Sequence, residues 1–306
     1  MDASRYHEIY ARWQRDPVGF WAEAARDIDW YETPKTVFDP HAGVYGRWFT
    51  DGVVNTCWNA VDRHVMHGRG AQAALVYDSP LAGTKRVIAY DRLWTEVQVL
   101  GAILRDFDVE KGDRVVLYMP MVPEAVFAML ACARIGAVHS VVFGGFAARE
   151  LATRIDDAKP KLILSASCGL EPGRVVAYKP LLDQAIALAQ HKPAACIILQ
   201  RPQMQAAMVA GRDHDWKTLW DEAMNYAKTS DCVPLAATDP LYILYTSGTT
   251  GLPKGVVRDN GGHLVALKWS MQNLYGVNPG EVYWAASDIG WVVGHPLAAC
   301  AHLVAP

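Results

Sequence analysis

The sequence predicts an α/β fold in which mainly parallel sheets are flanked by helices. From about Ala73 onward, short apolar runs alternate with stretches of helical spacing, which is the pattern of βαβ units joined by right-handed crossovers. Of the 306 residues, 51% are hydrophobic and 20% are charged, a balance typical of globular proteins with a packed core. Neither an internal repeat nor a low-complexity tract interrupts this pattern.

The first 60 or so residues are rich in Trp and Tyr and lack a clean periodicity. Tyr6 to Arg26 predicts one or two short helices, with Pro17 at the start of the second. From residue 73 a hairpin is predicted over 74–77 and 86–90. The predicted helices cover 91–107, 123–135, 147–157, 181–190, 216–227 and 263–275, and the predicted strands cover 114–119, 138–143, 162–164, 195–199, 241–245, 256–257 and 283–285.

Charge and cysteine usage exclude several classes of protein. The formal net charge is −3 and no run of Lys or Arg is present, so we expect no nucleic-acid partner. The six cysteines are scattered and form no C-x-x-C pair, which favours reduced core thiols over a disulfide framework. The first residues lack the apolar segment of a secretory signal, and the longest apolar run, 125–133, is too short to span a bilayer. We therefore predict a cytoplasmic protein with no membrane partner.

The most informative stretch runs from Tyr245 to Gly255 and reads Y-T-S-G-T-T-G-L-P-K-G. Its hydroxyl and backbone N–H groups can donate hydrogen bonds to phosphate oxygens, and its glycines let the backbone approach a bulky anion. Lys254 adds a point charge suited to phosphate, and Pro253 stiffens the turn before it. Because the loop joins two apolar strands, we predict a cradle for a triphosphate.

The spacing of this loop differs from that of the P-loop. A P-loop lysine directly follows the second glycine and precedes Ser or Thr and a helix. Here Gly251 is followed by Leu252, and Lys254 is followed by a glycine and a strand. The alternative to a phosphate cradle is an ordinary Gly/Thr-rich hairpin without a ligand.

The full string resembles the signature of the AMP-forming acyl-CoA synthetases. The likeness is to the short-chain branch, the acetyl- and propionyl-CoA synthetases, and is closest to propionate–CoA ligases. It implies the N-terminal domain of the adenylate-forming (ANL) superfamily, with ATP, Mg²⁺ and CoA as cofactors and a small carboxylate as substrate. It also implies an acetyl-CoA synthetase-type N-terminal cap over 1–65, part of an AMP-binding domain over 66–295 and a divergent tail over 296–306.

The resemblance assigns the phosphate contacts to residues of the loop. In the family reaction a carboxylate attacks the α-phosphate of ATP while pyrophosphate leaves, so the β- and γ-phosphates must be held. The implied ATP-binding residues are Thr246, Ser247, Gly248, Thr249, Thr250, Gly251 and Lys254. We predict no protein metal site, since His64 and His67 lack a Cys or acidic partner in a recognisable pattern.

Two further stretches resemble substrate-contacting segments of the family. A-S-D-I-G-W-V-V-G-H, residues 286–295, resembles a segment that lines the acyl pocket and places Trp291, Val292 and Val293 on its wall. Acetyl-CoA synthetases often carry Thr at the position of Val293, so the more apolar wall favours propionate over acetate. The alternative is that these three residues belong to an ordinary core.

CoA contacts are implied at two places. Gly144 and Gly145 follow a predicted strand and resemble a loop near the CoA entrance, although a plain β-to-α turn would look the same. Arg174 matches one of two arginines that lie near the 3′-phosphate of CoA in acetyl-CoA synthetases. The second position is Glu171, so the paired clamp is absent, and the alternative is a surface charge pair.

Members of the family are about twice as long as this chain. We therefore expect the chain to be an N-terminal half, without the lysine that contacts the carboxylate during adenylation, so the catalytic residue is unknown. The last eleven residues, 296–306, do not continue the family pattern, which we interpret as a frameshift or a displaced gene end, with a deliberate short form as the alternative. We expect the isolated chain to be poorly soluble or partly unfolded and to make no acyl-adenylate.

Two other functions remain open at this point. The chain is a non-catalytic fragment if it only binds nucleotide or a partner such as a complete homologue. A peptide-synthetase adenylation domain keeps the superfamily and changes the acceptor, but the cap-like segment and Trp291-Val292-Val293 argue against it. The oligomeric state is not predicted.

Overall fold

The computed structural model of the protein describes residues 4–246, 253–296 and 303. Its helices are α1 (Tyr6–Arg15), α2 (Pro17–Ala24), α3 (Tyr90–Asp106), α4 (Pro123–Ile135), α5 (Ala148–Ala158), α6 (Tyr178–Leu188), α7 (Trp216–Asn225), α8 (Gly261–Asn273) and the short α9 (Gly294–Pro296). Its strands are β1 (Phe38–Asp39), β2 (Arg47–Trp48), β3 (Val53–Val54), β4 (Ala73–Ser79), β5 (Thr84–Ala89), β6 (Arg114–Tyr118), β7 (Val138–Val141), β8 (Leu162–Ala166), β9 (Cys168–Glu171), β10 (Arg174–Ala177), β11 (Ala195–Leu199), β12 (Asp213–Asp215), β13 (Leu235–Ala236), β14 (Pro240–Thr246) and β15 (Lys254–Asp259).

A seven-stranded sheet forms the centre of the molecule, in the order β12-β11-β8-β6-β7-β14-β15. The first six strands pair in parallel, and β15 pairs antiparallel with β14 at one edge. Val115, Val116 and Leu117 in β6 are all fully buried. Because helices cover both faces of a parallel sheet, such a strand is a continuous apolar run in the sequence. The predicted α/β class with a mainly parallel sheet is confirmed.

Helices cover both faces of this sheet. One hydrophobic core takes side chains from α3, α4 and α8, and a second takes side chains from α5 and α6 on the opposite face. The alternation follows from the strand order, because the connections from β6 to β7 and from β7 to β8 leave the sheet in opposite lateral directions. Two smaller hairpins, β4–β5 and β9–β10, lie outside the central sheet.

Local chemistry fixes several element ends where the sequence predicted them. Pro17 is the first residue of α2, and the Asp16 side chain caps that helix by accepting the Gly19 N–H at 2.8 Å. Pro123 begins α4, and Gly136 ends it in the left-handed conformation, with φ of 79°. The two predicted N-terminal helices and the helix over 123–135 are thereby confirmed.

One predicted strand is wrong. Residues 281–286 form no strand in the described structure, and the Trp284 side chain within them is 83% exposed. A strand needs a partner for its backbone groups, and no described strand pairs with this segment. In contrast, the β9–β10 hairpin was not predicted, because its residues lack the alternation of polar and apolar side chains.

No helix among the described residues combines the length and the apolar composition needed to cross a membrane.

Candidate functional site

Two loops that were predicted to bind ligands leave the same edge of the sheet. β7 ends at Val141 and leads into the Gly144–Gly145 turn, and β14 ends at Thr246 and leads into the hydroxyl-rich loop. β7 and β14 are parallel neighbours, with His139 opposite Tyr242 in register. Carboxyl ends of parallel strands meet at one edge, where α/β sheets place their ligands.

The hydroxyl-rich loop is closed at its base by Thr246 and Lys254, which face each other across the β14–β15 hairpin. The Thr246 hydroxyl donates a hydrogen bond of 3.5 Å to the Lys254 carbonyl oxygen, and both side chains are exposed. Both are therefore accessible to a ligand in solvent. The other implied phosphate contacts, Ser247, Gly248, Thr249, Thr250 and Gly251, lie outside the described residues.

Tyr245, just before this loop, is fixed by two neighbours from α5. Its hydroxyl donates a 2.6 Å hydrogen bond to Asp157 Oδ2, and burial raises the pKa of Tyr245, reinforced by this carboxylate. The Arg154 guanidinium lies 5.6 Å from the Tyr245 ring centroid and 4.4 Å from that of Phe146. Arg154 therefore links the start of the loop to the Gly144–Gly145 turn.

The Gly144–Gly145 turn is held from below by Tyr118 at the end of β6. Its hydroxyl lies 3.0 Å from the Phe146 carbonyl oxygen and 3.3 Å from that of Gly144. Gly144 is buried, and a Cβ there would overlap the hydroxyl of Tyr178, so this glycine is required by packing. Gly145 is exposed at the tip of the turn. A role for the pair in CoA binding stays a prediction.

The predicted acyl segment lies against this turn. The Trp291 ring packs at 5.5 Å from Phe143 and at 6.0 Å from Phe146, measured between ring centroids. Trp291, Val292 and Val293 are 47%, 58% and 52% exposed, so an ordinary core does not describe them. Their role as a pocket wall stays a prediction.

Asp288 was part of the motif but was given no role from the sequence. Burial raises the pKa of its carboxyl group, and the hydrogen bond of 2.7 Å from the Gly290 N–H opposes that rise. A Cβ on Gly290 would lie 2.8 Å from the backbone of Phe143, so only glycine allows the two segments to touch. Burial of a carboxyl group is not readable from local spacing.

Arg174 is the exposed first residue of β10 in the β9–β10 hairpin. Its guanidinium donates a 2.7 Å hydrogen bond from Nε to Glu171 Oε2 and forms an ion pair with the same oxygen. The structure therefore places Arg174 in the surface charge pair that was the alternative interpretation. A contact with the 3′-phosphate of CoA requires Arg174 to exchange this partner, and it stays a prediction.

Two buried histidines and a half-buried one beneath the site were missed by sequence reasoning. His139 of β7, His263 of α8 and His295 surround the Tyr242 ring, with centroids 5.7, 5.2 and 4.2 Å from it. Burial lowers the pKa of His295 to about 4, that of His263 to about 3, and that of His139 well below its usual range. They come from distant positions in the sequence, so no local spacing marks them.

Within the described residues, only Cys57, Asp62 and Cys232 are grouped closely enough to hold a metal ion. The Arg134 guanidinium already occupies the space between these side chains, since its Nη1 donates to Asp62 Oδ2 at 2.7 Å and to Cys232 Sγ at 3.1 Å. A buried guanidinium opposes a second cation, and thiols do not suit Mg²⁺. The group therefore serves as a buried ion pair.

His64 and His67 do not face a common point. His64 is buried, its Nε2–H donates to the Leu303 carbonyl oxygen at 2.6 Å, and its Nδ1 accepts from Arg69 at 3.2 Å. His67 is exposed on a non-helical turn next to Gly68. Cys57 and Cys232 are free thiols like the other described cysteines, and Cys300 lies outside the described residues.

The arrangement suits an elongated ligand with one apolar and one anionic end. The Trp291 ring packs against Phe143 and Phe146 at the Gly144–Gly145 turn, and Arg154 connects this turn to the base of the hydroxyl-rich loop. The anionic end of such a ligand would meet Thr246 and Lys254, and its apolar end would meet Trp291. These residues lie near the same edge of the central sheet.

Comparison with known proteins gives the same family. Human "acyl-CoA synthetase short-chain family member 3, mitochondrial" is 52% identical over 294 residues, which cover 95% of this chain and 42% of that protein. The propionate–CoA ligase of Salmonella typhimurium is 45% identical over 304 residues, covering 98% of this chain and 47% of that protein. An uncharacterized protein of Pseudomonas aeruginosa is 54% identical over 292 residues, covering 95% and 46%. The chain thus spans less than half the length of these relatives.

Two family models match the chain in succession. The acetyl-coenzyme A synthetase N-terminus matches residues 6–60, and the AMP-binding enzyme model matches residues 62–305. The division of the chain at residue 65 and the divergence of residues 296–306 stay predictions. The resemblance inferred from the hydroxyl-rich loop is confirmed, and the chain belongs to the AMP-binding enzyme family.

Proposed function

We propose that this chain supplies the nucleotide-phosphate loop and the acyl wall of an AMP-forming short-chain acyl-CoA ligase. The overall reaction joins propionate, or acetate as the second choice, to CoA through an acyl-adenylate. The observation that carries the proposal is the contact of Trp291 with Phe143 and Phe146, which sets the acyl segment against the turn next to the phosphate hairpin. The similarity to propionate–CoA ligase supports the same reaction.

The first chemical step is attack of the carboxylate oxygen on the α-phosphorus of ATP, with pyrophosphate as the leaving group. The protein accelerates such a step mainly by positioning and by stabilising negative charge. Lys254 and the Thr246 hydroxyl are proposed to hold the leaving phosphates, which their pairing at the base of the hairpin supports, and Tyr245 anchors that base through its hydrogen bond to Asp157. Mg²⁺, when bound with the nucleotide, would neutralise part of the phosphate charge. The residue that contacts the carboxylate during adenylation is not assigned.

The preferred carboxylic acid substrate is proposed from the exposed side chains of the acyl segment. Val292 and Val293 present apolar surface, and Val293 lacks the hydroxyl that a threonine would offer a small polar acid. Burying one extra CH₂ group contributes about 0.8 kcal/mol, which is about a four-fold preference. The expected order is therefore propionate before acetate.

CoA is proposed to enter past the Gly144–Gly145 turn. Gly145 is exposed there, next to the acyl segment that would carry the activated carbonyl. Arg174 is proposed as a peripheral contact to the CoA phosphate, weakened by its pairing with Glu171. We retain the cytoplasm as the proposed location, although the name of the human relative includes the word mitochondrial.

Calorimetric titration of the purified chain with Mg-ATP tests the phosphate assignment. Lys254→Ala should weaken ATP binding by ten-fold or more, because a hydrogen bond to a charged group contributes about 1.5–3 kcal/mol. Lys217→Ala is the matched control, since Lys217 is an exposed lysine on α7 that is paired with Asp221. Equal affinity of the wild type and Lys254→Ala would remove the assignment.

Acid-dependent exchange of labelled pyrophosphate into ATP tests the reaction itself. Exchange that requires propionate and is lost in Lys254→Ala would establish adenylation by this chain. ATP binding without exchange would support the alternative that this chain is a non-catalytic nucleotide-binding fragment.

A further inference from the structure

The acyl segment rests on a pair of histidines whose rings are nearly parallel and meet edge to edge through their Nε2 atoms. The rings of His139 and His295 lie 5.1 Å apart between centroids, with an angle of 18° between their planes. Both residues are 1% exposed. His139 belongs to β7 inside the parallel sheet, whereas His295 ends the segment that carries Trp291 to Val293. The pair therefore joins a rigid strand to a segment on the surface.

The positions of the hydrogen atoms in this pair follow from its contacts. His295 Nδ1 lies 3.1 Å from the Ile289 carbonyl oxygen, which only accepts, so Nδ1 carries the hydrogen. Burial keeps the ring neutral, and Nε2 of His295 is then a bare acceptor. His139 Nε2, at 3.1 Å, must be the donor to it. The remaining nitrogen, Nδ1 of His139, has no hydrogen-bond partner in the described part of the chain.

His295 closes a tight loop in the acyl segment. Its ring donates to the carbonyl of Ile289, and its backbone N–H donates to the carbonyl of Trp291 at 2.8 Å. The Trp291 N–H in turn donates to the Asp288 carbonyl at 3.0 Å. These contacts fix the backbone from which the exposed side chains of 291–293 project. The opposite tautomer of His295 would place a lone pair against the Ile289 oxygen and release this loop.

We propose that His139 is a positioning residue which, by donating from Nε2, selects the tautomer of His295 and so holds the backbone that presents Trp291 and Val293. The described ring contacts of His139 are with His295 and Tyr242, and we assign its effect on the segment to the hydrogen bond with His295. The tautomers and the anchored backbone do not depend on the proposed function; only the ligand that Trp291 would contact rests on it. The chemical class of that ligand is a short aliphatic carboxylate, and the anchored backbone sets the depth available to its chain.

The tautomers are measured directly by long-range proton–nitrogen correlation spectra of the chain labelled with ¹⁵N-histidine. At neutral pH we expect His295 to be protonated on Nδ1 only and His139 on Nε2 only. Either residue in the other tautomer, or a charged His139, would overturn the proposal. This measurement needs only the wild-type chain, so it decides the matter even where a variant fails to fold.

The positioning role is measured at Trp291 by fluorine spectra of the chain labelled with 5-fluorotryptophan, with Trp291→Phe to assign the resonance. His139→Leu removes the donor and should shift and broaden the Trp291 resonance. His139→Gln restores an N–H donor at the same reach and should return the resonance toward its wild-type position. His263→Leu is the matched control, because it also removes a histidine next to Tyr242 and should leave the resonance in place.

A Trp291 resonance that is unchanged in His139→Leu, or changed equally in His263→Leu, would overturn the positioning role. A separate titration with propionate and Mg-ATP then addresses the acyl pocket. If the histidine results hold and propionate leaves the Trp291 resonance unmoved while acting elsewhere, the anchor stands and the pocket assignment fails. If propionate moves the resonance and His139→Leu does not, the pocket stands and the anchor fails.

Discussion

The candidate site has an exposed rim and a buried support beneath it, and the polar groups of these two layers differ in their access to solvent. The rim consists of Thr246, Lys254 and residues 291–293, whose side chains are exposed. The support consists of Tyr118, Tyr245 and the histidines around Tyr242, whose polar atoms mostly lie against protein. Rim residues can be changed at little cost in stability, because surface substitutions usually alter it by about 0.5 kcal/mol or less. Support residues act on ligands only through the fold.

This difference teaches that ligand affinity and stability should separate by layer. A rim substitution should alter ligand binding and leave the free energy of unfolding unchanged. A support substitution should mainly lower the free energy of unfolding, and it should affect ligand binding only as a consequence. A rim variant that unfolds the chain, or a support variant that changes only binding, would break the division.

Acidification should give the largest effect, and it should act on the support. The unfolded-state pKa of histidine is about 6.5, and burial lowers the folded-state pKa of His295 to about 4. The unfolded chain binds more protons between these values, so stability present above pH 6.5 is lost as the pH falls toward 4. His295 alone should cost on the order of 2 kcal/mol at pH 5, and His64 and His263 act in the same direction.

Urea unfolding at pH 7 and pH 5 measures this loss. The slope of the unfolding free energy against pH reports how many protons the chain takes up when it unfolds. His263→Leu should lower that number by up to about one, which would identify His263 as one of the titrating groups. A free energy of unfolding that is equal at both pH values would show that these histidines are not neutral in the folded chain.

Removing the Tyr118 hydroxyl should give the next effect. Tyr118→Phe leaves the buried carbonyls of Gly144 and Phe146 without this donor, which typically costs about 1–3 kcal/mol. Tyr226→Phe is the control, because Tyr226 is 78% exposed and its hydroxyl can bond to water. Thermal unfolding of both variants measures the difference, and a loss of stability in Tyr226→Phe as large as that in Tyr118→Phe would contradict the layer model.

Val293→Thr should give a smaller effect, and on the rim alone. Adding a hydroxyl to the proposed acyl wall should shift the preference between propionate and acetate by about four-fold toward acetate. The melting temperature should stay the same because Val293 is half exposed. Competition between the two acids in pyrophosphate exchange, or in binding, measures the shift. An unchanged ratio would remove Val293 from the wall.

Glu171→Gln should give the smallest effect. The exposed pair of Glu171 with Arg174 is worth about 0.2–1 kcal/mol, so freeing Arg174 should strengthen CoA binding by about two-fold. The effect should fade at high salt, since exposed charges are screened. The matched double variant, with Arg174→Ala added, should lose the gain. A gain that persists without Arg174 would place the CoA phosphate elsewhere.

The sequence predicted the parts of the fold that local chemistry decides. The helix from Pro123 to Gly136 has its own start and stop signals, and the strands of the parallel sheet are apolar runs of ordinary length. The hydroxyl-rich loop was found because its residues are consecutive. The predicted strand over 283–285 failed because strand formation depends on a distant partner.

The support layer was missed for a related reason. His139, His263 and His295 meet only after the sheet has brought β7 and β14 together, and no spacing in the sequence relates them. Their tautomers depend on which carbonyl each ring faces, and that is a property of tertiary packing. The same applies to Arg174, whose neighbour in the hairpin decides whether its charge is available.

The ion pair of Arg134 with Asp62 bears on how the N-terminal region folds. Arg134 belongs to α4, deep in the core, and its counterion comes from the segment around Cys57 and Asp62, with both side chains almost fully buried. A shortened chain that began at residue 66 would strand a guanidinium in an apolar interior, at a cost of about 3–5 kcal/mol. The N-terminal cap and the central sheet should therefore melt together in a single cooperative transition.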